Sequence, residues 1–280
     1  MSKRGSRVKV AFWENIRPEI RRMDHLAAIS IMLSIFYRKK VFLLDNGQDS
    51  NSFERVFQGV QRFYYVKEDA NYIVHRNGMD SILENLHNTV AIETLLQRSA
   101  VELIQDYLYY VPQSKVINHL AYEYQLNQEL STILKIYEKI SDLTLIRARN
   151  GNNLSTKQVL DEADLVLVEL TQDYHVLDEF FDNYSSICHK AIFVFSHYKR
   201  NSISIYHIMN KYHLKKEQIV VLTEYHPLNA ASVTGNLAAF IKENYNCRKE
   251  SNHYRCMREL RRAAKMILQY ERGELFEKVT

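Results

Sequence analysis

VKVAFWENIRPEIRRMDHLAAISIMLSIFYRKKVFLLDNGQ, residues 8–48, is the stretch that decides the fold. It opens on VKVAFW (8–13), a short apolar run rich in β-formers. Pro18 suits the first turn of a helix, where its missing N–H does no harm. Apolar residues then recur at Ile20, Met23, Leu26, Ala27, Ile31 and Ile35, a helical spacing. LAAISIMLSIFY (26–37) is too short to span a bilayer and predicts a buried helix. KVFLLD (40–45) predicts a second strand, closed by the turn-forming NGQDSNS. Strand, helix and strand at this length predict a right-handed crossover within a parallel sheet.

The rest of the chain extends the same alternation. The middle, roughly 78–140, reads as mostly helical: DSILENL, ETLLQRSAVELIQDY and the 124–140 segment carry that period, with YLYYVP (107–112) a candidate strand between them. SDLTLIRA (141–148), DLVLVEL (164–170), KAIFVFS (190–196) and QIVVLTEY (218–225) then read as strands. STKQVLDEA, YHVLDEFFDNY, ISIYHIMNKYH and NAASVTGNLAAFIKENY read as the helices between and after them. The fold class expected is α/β: a doubly wound, mainly parallel sheet flanked by helices. No Pro/Gly/Ser-rich linker or short repeat divides the chain. We expect one α/β domain over residues 1–250 and a basic C-terminal helix and tail over 251–280.

Composition narrows the function classes. Lys+Arg 37 against Asp+Glu 33 gives a formal net charge of +4 in 280 residues, which excludes a strongly basic nucleic-acid coat and an acidic tail. The 46% hydrophobic and 25% charged fractions are those of a folded globular chain. Gly at 7 and Pro at 3 fall well below the usual ~7% and ~5%, too few for an enzyme built on glycine-rich loops. Cys188, Cys247 and Cys256 form no CxxC pair, so the natural compartment is a reducing cytoplasm. MSKRGSR is basic but runs straight into VKVAFW, so no targeting segment is expected. The histidines, including His197, His207 and His213, show no ligand spacing, and no metal or cofactor is expected.

Several segments in order resemble the MinD/ParA group of P-loop ATPases. Residues 8–48 resemble its first strand, P-loop, helix and second strand. GMDSILENL (78–86) resembles the "GLD-sLl" start that follows there. SDLTLIRARNGNNLSTKQVLDEADLVLVELTQDYHVLDEFF resembles the Walker B strand and the "l-eADlvlvv" strand after it. FVFSHYKR and VVLTEYHPLNAAS stand where the later base-proximal strand and loop would be. The resemblance covers about residues 8–245. Within the group it is most similar to TadZ/CpaE-like proteins of Tad (Flp) pilus assembly, through the Phe12-Trp13 pair that ends the first strand.

The motifs depart from that pattern in one direction. Where the group has K-G-G-x-G-K-T, this chain has Arg17-Pro18-Glu19-Ile20-Arg21-Arg22-Met23. P-loop glycines let backbone N–H groups close on phosphates. Pro18 removes one such N–H. Glu19 places a negative charge where phosphate would lie, Arg21 replaces the glycine of closest approach, and Met23 replaces the hydroxyl that would hold Mg²⁺. Arg17 and Arg22 keep the positive charge of two lysine positions. The Walker B strand should end in an Asp that holds Mg²⁺; the matching position here is Arg147, within Leu145-Ile146-Arg147-Ala148-Arg149-Asn150-Gly151. The resemblance therefore implies a pseudo-ATPase rather than an enzyme.

In such a fold Arg21, Arg22, Arg147 and Arg149 converge near the degenerate nucleotide site, with Arg17 beside them. Two like charges ~8 Å apart repel by about 2 kcal/mol at an effective dielectric of ~20. The cluster needs partners: internal pairing with Glu14, Glu19 and Asp45, or an anion. The anion would be a nucleotide without Mg²⁺, a dinucleotide second messenger or an acidic side chain of a partner, all of which arginine binds bidentately. A third reading leaves the arginines solvated.

The C-terminal stretch puts Met257, Leu260, Ala264, Ile267 and Leu268 on one helical face, with Arg255, Arg258, Arg261, Arg262 and Lys265 crowding the rest. Packing onto the domain is the favoured expectation, with a membrane surface or a partner groove as alternatives. The function expected is a scaffold, localisation or assembly factor, for a Tad-type pilus or secretion apparatus. Its partners would be an intact MinD/ParA-like ATPase or components of that apparatus, and its place the cytoplasm, at most peripheral at the inner membrane face. Nucleic acid has only mild support from charge. The alternatives are a nucleotide or second-messenger sensor without turnover, and a divergent active NTPase.

Overall fold

The computed structural model describes residues 7–14, 24–46, 56–57, 78–88, 91–112, 119–148, 153–199 and 203–275. The first crossover is present: β1 (Val8–Glu14), α1 (Asp24–Ile35) and β2 (Val41–Asp45). There follow α2 (Met79–Asn85), α3 (Ile92–Arg98), β3 (Val101–Ile104), β4 (Leu108–Val111), α4 (His119–Ile140) and β5 (Leu143–Ala148). Next come α5 (Leu154–Glu162), β6 (Leu165–Leu170), α6 (Tyr174–Asn183), β7 (Ala191–Phe195), α7 (Ile205–Lys211) and β8 (Ile219–Val221). Then α8 (His226–Val233), α9 (Leu237–Asn244) and α10 (Tyr254–Glu271) complete the order.

Among the described residues eight strands form one sheet, in the order β3-β4-β2-β5-β1-β6-β7-β8. Every pairing is parallel except β3 with β4. The central strands are near-continuous apolar runs because both their faces are covered. Side chains alternate between two cores. Val10 and Phe12 face α1, α8, α9 and α10, whereas Ala11 and Trp13 face α4, α5 and α6. The result is three layers: helices, sheet, helices. α1 is buried and mostly apolar on all sides because α9 and α10 cover the side that the sheet does not.

Three elements differ from expectation. ETLLQRSAVELIQDY was expected to be helical throughout, but the helix stops at Arg98 and Val101–Ile104 is a strand. β-branched residues favour a pleated edge. The turn between β3 and β4 is held by Asp106 at φ 64 and by the bond from Asp106 N–H to Glu102 Oε1 at 2.8 Å. NAASVTGNLAAFIKENY is two helices, not one, broken where Gly235 takes φ 72. QIVVLTEY yields only Ile219–Val221 as strand, because Glu259 of α10 takes the Thr223 N–H at 2.8 Å and its hydroxyl at 3.0 Å.

Candidate functional site

Val41, Leu43 and Asp45 share one face of β2, as do Leu143, Leu145 and Arg147 in β5, and Leu165, Leu167 and Glu169 in β6. In each strand the inward series is apolar until its last member, which is charged. In parallel register these charged residues edge the C-terminal rim of the core beneath α1 as a staggered row: Asp45 is directly beside Arg147, and Glu169 lies two residues farther along its strand, level with Glu14. The chain leaves β1 toward β2 on one side and passes from β5 to β6 on the other, so the crevice at these strand ends is the topological switch point where doubly wound folds bind ligands.

The row is tightly bonded. Arg147 Nη1 donates to Asp45 Oδ1 at 3.1 Å, and the Tyr110 hydroxyl donates to Asp45 Oδ2 at 3.1 Å. Asp45 is 0% exposed and Arg147 2%. Two buried opposite charges at this distance neutralise each other, and the hydrogen bonds offset part of the desolvation they suffer. Farther along, His25 Nδ1, from the first turn of α1, lies 3.1 Å from Glu169 Oε1. With Glu169 ionised, Nδ1–H is the donor. The His25 ring is 6.2 Å from that of His197, which follows β7 at φ 51. On the outer flank Asn46 Nδ2 donates to Ser155 Oγ at 3.0 Å, and Ser155 Oγ lies 3.0 Å from Glu123 Oε1. Asn153 caps α5 by accepting from the Thr156 N–H at 2.9 Å.

Of the arginines singled out from sequence, the structure places Arg147 at the strand end, paired with Asp45. Arg17, Arg21, Arg22 and Arg149 lie outside the described residues. The His25–Glu169 pair and the Tyr110 contact were not anticipated. The signal for Glu169 was present: it occupies a core-facing position in DLVLVEL, where a charge demands a partner.

Comparison with known structures identifies the architecture. The chain superimposes on the cell division ATPase MinD of Pyrococcus furiosus with a TM-score of 0.66 at 13% identity, covering 94% of this chain and 99% of that one. This is a MinD/ParA-like fold. A ParA family ATPase from Chlorobium tepidum gives 0.66 at 11% identity over 92% and 99% of the two chains. MinD of Aquifex aeolicus, in its complex with MinC, gives 0.65 at 13% identity over 98% of each. No family model and no curated protein matches the chain by sequence.

A divalent cation at a MinD/ParA-like strand end needs oxygen ligands. Here both oxygens of Asp45 accept hydrogen bonds, one of them from a cation. At an illustrative ~5 Å and an effective dielectric of ~20, a dication beside Arg147 would be repelled by about 7 kcal/mol. The Asp45–Arg147–Tyr110 group does not fit a metal ion.

Proposed function

We propose that this MinD/ParA-like protein does not hydrolyse nucleotide and acts through binding, as a localisation or assembly factor. The observation that supports this reading best is the buried Asp45–Arg147 pair. It sets a guanidinium at the rim where the sequence resemblance calls for a metal-holding carboxylate. The substitutions over Arg17–Met23 point the same way, since none restores the backbone cradle or the hydroxyl that magnesium-dependent turnover requires.

The finer reading rests on the likeness to TadZ/CpaE-like proteins: a role in positioning or assembling a Tad-type pilus or secretion apparatus. Its partner would be an intact MinD/ParA-like ATPase or a component of that apparatus. A MinD solved with MinC is one example of this fold joined to a protein partner. Neighbouring genes for a secretion ATPase and a pilin would support the pilus assignment.

The test is ATP titration with and without Mg²⁺, alongside phosphate release from the full chain and from Arg22→Ala and Arg147→Ala. The expected result is no release above buffer and no Mg²⁺-dependent affinity. Mg²⁺-dependent turnover would overturn the reading. Saturable binding that ignores Mg²⁺ and yields no phosphate would make the protein a sensor.

A further inference from the structure

α10 has two unlike faces. Met257, Leu260, Ala264 and Ile267 are at most 1% exposed and complete the core over α1. The apolar face is thus spent inside the molecule. The other face carries Arg258, Arg261, Arg262 and Lys265. Together with Lys216, from the short turn before β8, these line a groove of about 690 Å³.

Among the described residues five cations meet two carboxylates there, Glu217 and Glu274. That excess of three stands in a chain whose whole formal charge is +4. Among the described residues the ion pairs of this helix are Arg255 with Glu259 at 2.9 Å and Glu271 with Lys39 at 2.5 Å, and the five groove cations take part in neither. The guanidinium groups are nonetheless held in place. Arg258 and Arg261 each sit 5.9 Å from the Tyr254 ring centroid, and Arg261 lies 5.5 Å from that of Tyr245. Arg262 Nη2 donates to the Lys216 carbonyl at 3.1 Å. Arginines ordered in advance lose less entropy on meeting a carboxylate.

We propose that this groove docks an acidic, amphipathic segment of a partner protein. Three features select that occupant. Met266 and Leu275, 4% and 9% exposed, give the groove an apolar floor that suits Leu or Phe side chains. Glu217 and Glu274 would face a continuous polyanion such as nucleic acid, whereas a peptide can space its carboxylates to avoid them. The surface is concave and its helix has no apolar face left to insert, so a flat bilayer finds little to hold. The site is separate from the strand-end row and stands whether or not nucleotide is hydrolysed.

The test is fluorescence anisotropy on the full chain in about 0.15 M salt. The probes are a labelled peptide of Glu-Glu-Leu repeats, the same peptide with Gln for Glu, and a short DNA duplex. Vesicles of phosphatidylcholine and phosphatidylglycerol are assayed by co-sedimentation. The acidic peptide should bind saturably, and the Gln peptide should not. Reversing two exposed charges, Arg258→Glu with Arg262→Glu, should weaken the peptide by about tenfold or more while the melting temperature stays put. Absent saturation, affinity indifferent to the charge reversal, or tighter capture of DNA or vesicles than of the peptide would each overturn the proposal.

Discussion

At the scale of single residues, the Asp45–Arg147 pair is the costliest feature to disturb. Arg147→Met removes the guanidinium beside a fully buried carboxylate that also accepts from the Tyr110 hydroxyl. We expect a loss of about 3–5 kcal/mol in urea denaturation. Adding Asp45→Asn, which keeps an acceptor for Tyr110, should recover at least half of that; no recovery would mean the pair is not the source of the loss. Gly78 offers a second test. It precedes α2 at φ 92, and a Cβ there would meet the Pro112 carbonyl oxygen at 2.9 Å. Gly78→Ala should cost about 1–3 kcal/mol by the same measurement. A loss within error would contradict the packing described. Asp45 was legible as a partner for Arg147, with Glu14 and Glu19, because all three carboxylates lie near the same loop. Glu169 also stands near the end of an apolar run, but its partner His25 comes from a helix 144 residues away and no periodicity reports that distance.

Among elements, the strands β1, β2, β5, β6 and β7 were readable because parallel strands covered on both faces leave uninterrupted apolar runs. β3 was not, since AVELI is short and continues the helical spacing of α3; only its partner β4 decides the matter. β1 is anchored at its start by Lys9. Its ammonium donates to Glu138 Oε2 on α4 at 2.9 Å, and its N–H donates to Asp164 Oδ2 at 2.7 Å. Burial disfavours the Lys9 charge, yet the bond to Glu138 and the nearby carboxylates outweigh it and raise the pKa above the ordinary lysine value. A raised pKa stabilises the fold below the unfolded value and loses that stabilisation as pH climbs through the folded one. Lys9→Met should therefore cost up to about 1 kcal/mol at neutral pH, discounted because both carboxylates are partly solvated. The gap to wild type should close in stability curves taken above the ordinary lysine pKa of about 10.4. A gap that stays constant with pH would show that the charge is not involved.

On the scale of the whole molecule, α10 belongs to the α/β core rather than standing apart from it. Leu260 is 1% exposed against the α1-side cluster, so Leu260→Ala should lower unfolding free energy by about 2–5 kcal/mol. A surface helix laid loosely on the domain would give far less. Light scattering should return the same mass with and without ATP and Mg²⁺. A homodimer that appears only with nucleotide would contradict the proposed binding-only role. Sequence indicated the basic face of this helix and the apolar face opposite, but the groove also needs Lys216, which approaches from 42 residues earlier only once β8 has joined the sheet.

The packing of α10 on α1 has a bearing on synthesis. α1 is sealed in part by α10, with more than two hundred residues between them. Until α9 and α10 have both been made, LAAISIML lacks its full cover on the outer side, and the nascent chain must carry that greasy flank partly unshielded. Chaperone dependence of the emerging polypeptide should therefore persist until Tyr254–Glu271 clears the exit tunnel, then fall abruptly.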